Sequence, residues 1–307
     1  MKLKVQSLSK VLQILQNIEK NQSNIKKKID YLESVIEKQN KKDQLLNIQQ
    51  DLAYIKMHMA LSEDRERDLI LLCKNQWPFK PNKGVRCITK HSIAHESNDY
   101  KYPRGTKNDN TRHPRLVKAC ENIFSGKIKY LDLGCAGGGL VWDFLMQGHE
   151  AYGIEGSDYS LKEKRAEWKM ISSNLFTADI TKEYVIIDSS KKKILFNVIT
   201  AFEVLEHIHE NNIFSFFKNI QNNLHDNGIF IASIATFQDS NGIVNFHQTI
   251  QPKKWWINQL KKIGFVEQKE LLKTADFARG SGNLRAHDWN ATLEPKLGFH
   301  LVLKKIK

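Results

Sequence analysis

One stretch constrains this chain more than any other: residues 129–158, KYLDLGCAGGGLVWDFLMQGHEAYGIEGSD. A short apolar run at 130–133 predicts a buried strand, which carries Asp132 and breaks into the turn Gly134-Cys135-Ala136-Gly137-Gly138-Gly139. An apolar helix pattern follows, with Leu140, Val141, Phe144 and Leu145 on one face, and Gly148 ends it. A second strand at 151–154 stops at Glu155. Strand, glycine turn, helix, strand and terminal acid make one βαβ unit of about 30 residues. Glycines in such a turn let a ligand approach the backbone, and the helix N-terminus supplies free N–H groups. An acid after the second strand can accept hydrogen bonds from both hydroxyls of a ribose.

Two nucleotide ligands suit the unit. A dinucleotide pyrophosphate asks for G-x-G-x-x-G, and the turn offers the partial match Gly134-x-Ala136-x-x-Gly139. Asp132, two residues before the first glycine, would turn a carboxylate toward the ligand. That disfavours a pyrophosphate and favours a ligand with an ammonium group. S-adenosylmethionine (SAM) has one, and its sulfonium is also cationic. The plain alternative is a turn that only packs a helix on a sheet.

Around this unit the chain divides into three parts. Residues 5–72 contain no Pro and no Gly, and apolar residues recur at Leu8, Val11, Leu15, Ile18, Ile25, Ile29, Leu32 and Ile36, with Gln22 as the polar seam position. This heptad predicts a coiled coil over residues 1–72 and self-association through it; the alternative is a long amphipathic helix lying on its own domain. Residues 73–115 are rich in Pro, Gly, Asn and basic residues, and predict an ordered loop segment that covers the active site. Residues 73–127 hold 12 Lys/Arg against 4 Asp/Glu, so most of the net charge of +13 sits just ahead of the motif region. Such an excess suits an anionic partner, and equally plain solubility. Residues 116–307 alternate helix and strand patterns: helices at 161–168, 211–224 and 252–263, and strands at 174–178, 196–201, 229–234, 265–272 and 297–303. No apolar run reaches about 18 residues, so no membrane span is expected. The N-terminus lacks an export-signal pattern, and the four cysteines show no C-x-x-C spacing; free thiols in the cytoplasm are the expectation.

YLDLGCAGGG, the acid of YGIEGSD, the strand end FTADI, FNVITAFEVLEHI and the turn-strand HDNGIFI occur in order and at spacing that resemble a class I SAM-dependent methyltransferase. The stretch is most similar to the bacterial subgroup with an E-V-L-E-H motif, which includes quinone-biosynthesis and polysaccharide-cluster O-methyltransferases. The resemblance implies a Rossmann-like α/β fold with a seven-stranded sheet whose last strand is antiparallel. It implies SAM as cofactor and assigns roles. Asp132 contacts the methionine ammonium, while Gly134, Ala136 and Gly138 leave room for the methionine part. Glu155 binds the ribose, and Asp179 and Ile180 meet the adenine. Phe202 and Glu203 sit near the sulfonium. One departure is Ala136, where many members have Gly. Asp179 also has a bland reading as a turn residue.

The E-x-x-E-H motif carries further chemistry. If a helix starts at Glu203, then Glu203, Glu206 and His207 share one face. With His247 they form a candidate site for Mg²⁺, Mn²⁺ or Zn²⁺; otherwise Glu203 lines the cofactor pocket and the other two shape the helix start. His207, His247 and Glu206 are the candidate catalytic residues, since a hydroxyl acceptor has to lose its proton. His209 is expected to face solvent. Trp255 and Trp256 are candidates to wall the acceptor pocket, with at least one expected in the core. Arg104, Lys107 and Arg112 are candidates to hold a phosphate on the acceptor. The expected reaction is methyl transfer to a hydroxyl of a small molecule or saccharide. Two readings stay open beside it: an RNA 2′-O-methyltransferase, although no RNA-binding motif stands out, and an assembly protein whose SAM domain does not turn over.

Overall fold

The computed structural model describes residues 84–272 and 297–306, with positions 27 and 82 besides. The coiled coil expected over residues 1–72 lies outside the described residues.

A mixed seven-stranded sheet forms the centre. It consists of β2 (Lys129–Leu133), β3 (Glu150–Glu155), β4 (Leu175–Thr177), β6 (Phe196–Phe202), β7 (Leu224–Ala235), β8 (Phe265–Glu267) and β9 (Gly298–Lys305). Their order is β4-β3-β2-β6-β7-β9-β8. Neighbours from β4 to β7 run parallel, and β9 is antiparallel to both β7 and β8. This is the expected α/β architecture. Strands β2 and β3 read as continuous apolar runs because helices cover both faces, so both sides of each strand are buried. The path of the chain reverses between β2 and β6, which opens a crevice at their C-terminal ends.

The helix after the glycine turn, Gly139–Met146, is buried at every position. Its Phe144 stacks on Tyr130 of β2 at 3.8 Å between ring centroids. The helix Ile213–Asn223 buries Phe216, Phe217 and Ile220 on its inner face. The helix Lys253–Ile263 stops at Gly264, whose φ of 92° gives the left-handed cap that glycine tolerates.

Several boundaries differ from the sequence reading. The helix expected at 161–168 is one turn, Tyr159–Lys162, followed by a 3-10 turn, Ala166–Lys169. Lys164 and Ala166 have positive φ and fold the chain back, so that Trp168 donates from Nε1 to the Ala136 carbonyl at 2.8 Å. Strand β7 begins at Leu224, and a register shift between Phe196 and Val198 absorbs the earlier start. The segment expected as loop contains the strand β1 (Arg86–Thr89), which pairs antiparallel with β5 (Tyr184–Ile187) in a second small sheet. It also holds two short helices, Asn98–Lys101 and Arg104–Asn108.

Candidate active site

A cavity of about 730 Å³ lies at the C-terminal ends of β2, β3 and β6, and residues between 94 and 113 form its opposite wall. Eight carboxylates line it against one arginine, Arg104, which is itself paired with Asp239. In a chain of net charge +13 this is a local inversion, and it suits a cationic ligand.

At one end, Asp132 projects from β2 and is 4% exposed. Thr200 Oγ1 donates to its Oδ1 at 2.6 Å, and the Tyr130 hydroxyl is 2.6 Å from that same Thr200 oxygen. Burial pushes the Asp132 carboxyl up to about 7, with nearby Glu155 adding to the effect against the Thr200 hydrogen bond. Glu155, at the end of β3, accepts from Ala136 N at 2.7 Å, Ser157 N at 3.2 Å and Thr106 Oγ1 at 3.1 Å. Burial raises its carboxyl too, despite these donors. Two buried acids that resist ionisation are stabilised by a cation or by hydroxyl donors. The donor set therefore fits a ligand with an ammonium, a sulfonium and a ribose, and does not suit a pyrophosphate.

The turn between these acids is backbone-strained rather than merely open. Gly134 and Gly138 have φ of 73° and 90°. A Cβ on Gly134 would lie 2.5 Å from Val204, and one on Gly138 would lie 2.9 Å from Leu175. Gly134 and Ala136 line the cavity, whereas Gly138 does not. At Gly138 the absent side chain makes room for Leu175. Ala136 sits at φ 44°, a conformation that costs an L-residue about 1–2 kcal/mol. Glu155 and Trp168, which bond its N–H and C=O, hold the strained peptide in place.

At the other end, Glu206, His207 and His247 each offer a ligand atom, and these atoms lie within 4.8 Å of one another. Glu206 is fully buried; its Oε1 accepts from Ala235 N at 3.0 Å, and its Oε2 has no hydrogen-bond partner among the described residues. His207 Nδ1 lies 2.9 Å from Asp99 Oδ2, and His247 Nδ1 lies 2.5 Å from the Phe237 carbonyl. Each imidazole is therefore oriented through Nδ1, which leaves Nε2 for a ligand. Burial alone would lower His207, but the Asp99 carboxylate, with Glu206 and Glu203 behind it, lifts it to about 9. Burial lowers His247, and neighbouring His207 adds to that.

Glu203 stands apart from this cluster. Its φ of 56° is left-handed, and the 3-10 turn begins only at Leu205. No helix starts at Glu203, so the i, i+3, i+4 spacing does not align it with Glu206 and His207. Its N–H donates to the Ser233 carbonyl at 3.1 Å, and its Oε1 accepts from Ser233 Oγ at 2.7 Å.

Phe202, Asp179 and Ile180 line the cavity. Asp179 Oδ1 also accepts from Thr181 N and Oγ1, the turn role that competed with adenine recognition. His209 is exposed and its Nδ1 accepts from Asn211 N at 3.3 Å. Trp256 is fully buried and neither it nor Trp255 lines the cavity, because the Trp256 ring fills the core under the sheet. The candidate phosphate holders are otherwise engaged: Arg104 with Asp239 and the Phe246 ring, Arg112 with buried Asp143, while Lys107 is exposed off the cavity. Three residues that sequence reasoning missed come from the covering segment. They are Asp99, Thr106 and His113, whose ring tilts on Phe202 at 5.7 Å and whose Nε2 is buried without a partner among the described residues. Burial, with Arg115 nearby, pushes His113 down to about 4, so it is neutral. No local signal distinguishes these three from other loop residues.

Residues 131–230 match the family described as a methyltransferase domain. No curated protein matches the chain. Among solved structures, a SAM-dependent methyltransferase from Clostridium acetobutylicum ATCC 824 is 15% identical, covering 70% of this chain and 98% of its own, with a TM-score of 0.45. A protein from Pyrococcus horikoshii OT3 is 16% identical over 70% of this chain and 94% of its own, with a TM-score of 0.42. The glycopeptide N-methyltransferase MtfA is 13% identical over 64% of this chain and 92% of its own, also at 0.42.

Proposed function

We propose that this chain, whose residues 131–230 match a methyltransferase domain, uses SAM to methylate a hydroxyl oxygen of a small molecule or saccharide beside a divalent cation held by Glu206, His207 and His247. Bound SAM supplies a methyl carbon already activated by its sulfonium. Asp132 meets its ammonium by a charge-assisted bond, and Glu155 accepts from its ribose. Gly134, Ala136, Phe202 and Ile180 line the same space, and Asp179 faces the adenine end. Most of the acceleration comes from holding the acceptor oxygen in line with the methyl group.

The observation that carries the cation is the Oε2 of buried Glu206, without a partner among the described residues and grouped within 4.8 Å with two imidazoles whose Nδ1 atoms are already engaged. Two imidazoles and one carboxylate suit Zn²⁺ or Mn²⁺ better than Mg²⁺. A cation held there would lower the pKa of a neighbouring hydroxyl toward neutrality. If the cluster instead works without metal, the neutral His247 is the base and His207 is the cation that orients the acceptor. A chelator decides between them. Loss of labelled-methyl transfer on chelation, restored by Zn²⁺ or Mn²⁺, supports the cation; unchanged turnover removes it.

RNA 2′-O-methylation shares the cluster but meets eight lining carboxylates, which repel a polyphosphate. Transfer of labelled methyl to glycan, lipid, RNA and protein fractions of a lysate separates these acceptors. We also propose self-association through the heptad of residues 8–36, with Gln22 setting the register. Light scattering that finds the full chain monomeric at micromolar concentration overturns it.

A further inference from the structure

We propose that Asp99, on the segment covering the cavity, is a positioning residue for the cation site: it holds His207 with Nε2 turned inward, so that the site is complete only while this segment is seated. The inference rests on the reading of Glu206, His207 and His247 as cation ligands.

The three ligands are supported from different places. Glu206 belongs to the core: β7 fixes its Oε1 through Ala235 N, and its own carbonyl accepts from Gln248 N and Thr249 N. His247 takes its orientation from the Phe237 carbonyl, in the loop after β7. His207 has no such support from the sheet. Its Nδ1 meets Asp99 Oδ2 at 2.9 Å, across 108 residues of chain. An imidazole with one nitrogen on a carboxylate has its ring plane and tautomer fixed, and its other nitrogen becomes a better donor to a cation.

Asp99 is held for this task. Its N–H donates to Ser97 Oγ at 3.1 Å, which caps the helical turn it sits on. The same segment ties down the second histidine's loop. Asn98 Nδ2 donates to the Asn245 carbonyl at 2.9 Å, two residues before His247. Arg104 pairs with Asp239, two residues after Phe237, and lies 4.8 Å over the Phe246 ring. Both imidazoles are thus braced from residues 97–104, although neither is in that segment. The covering segment and the cation site form one unit.

The test is cation affinity of the full chain, measured without SAM or acceptor by competition between the protein and a chromophoric chelator for Zn²⁺. Asp99→Ala should weaken Zn²⁺ by about 10–100-fold, the usual loss when an outer carboxylate is removed from a metal-bound histidine. Asp99→Glu should recover most of it. Co²⁺ loaded in place of Zn²⁺ should give a changed visible spectrum in Asp99→Ala, a readout that mere loosening of a surface segment does not move. Far-UV circular dichroism and the melting temperature should stay at the wild-type level in both variants, which confirms that the fold is intact. Wild-type Zn²⁺ affinity and an unaltered Co²⁺ spectrum in Asp99→Ala overturn the inference alone. A wild-type protein that binds neither Zn²⁺, Mn²⁺ nor Co²⁺ overturns both the inference and the cation reading beneath it.

Discussion

The two ends of the cavity are built on opposite plans. Asp132 and Glu155 stand on adjacent core strands, β2 and β3, and the turn between them belongs to the same short unit. Glu206, His207 and His247 come from two loops, and a third segment orients His207 through Asp99. The first end is prefabricated by the sheet. The second is assembled by tertiary contacts that a shift of one loop would undo. On the proposed roles, the cofactor end rests mainly on the sheet, with one bond from Thr106 of the covering segment, while the other end draws more on that segment.

That contrast can be broken most severely at the assembled end. His207→Ala and His247→Ala should each lower turnover by about 10²–10⁴-fold, the scale of a lost acid-base group, with SAM affinity kept. Steady-state kinetics beside calorimetry checks this; turnover at the wild-type level in both variants would remove the catalytic assignment. At the prefabricated end, Asp132→Ala or Glu155→Ala should weaken SAM by about 1.5–3 kcal/mol, the worth of hydrogen bonds to charged groups. Zn²⁺ affinity should not change. If both losses appear together, the two ends are not separate.

A smaller effect sharpens the electrostatics. In the proposed role Asp132 meets the SAM ammonium as a carboxylate, and burial pushes its carboxyl up to about 7. Below that pH, binding has to expel a proton, so affinity should fall by up to about tenfold per pH unit between 7 and 5 and level off above 7. Asp132→Asn should flatten this slope. The same raised value works against folding: the unfolded chain releases this proton near its ordinary 3.8, so stability from Asp132 is lost as pH rises through the interval up to about 7. The smallest effect is at the turn. Ala136→Gly relieves the positive φ and should raise stability by up to about 1 kcal/mol, read as a higher melting temperature. A lower melting temperature would mean that the strain lies elsewhere.

The same contrast decides what the sequence made legible. The unit from β2 to β3 could be read because strand, turn, helix and acid are contiguous and follow local rules. The E-x-x-E-H spacing pointed to Glu206, His207 and, with a loop histidine, His247. It could not exclude Glu203, because the left-handed backbone there is imposed by Ser233 of a different strand. Asp99 left no trace in the sequence, since its partner lies 108 residues away. The helix expected at 161–168 failed for a related reason. Its apolar residues fit a helix, but Trp168 is pulled back to the glycine turn by a hydrogen bond that periodicity cannot register.

The hydroxyl chain from Tyr130 through Thr200 to Asp132 has a consequence for how such an enzyme can diversify. Tyr130 is at once a wall of the core, stacked on Phe144, and the far end of the relay that aims the Asp132 carboxylate. A substitution anywhere along that chain changes packing and cofactor affinity together, so drift that preserves the one preserves the other.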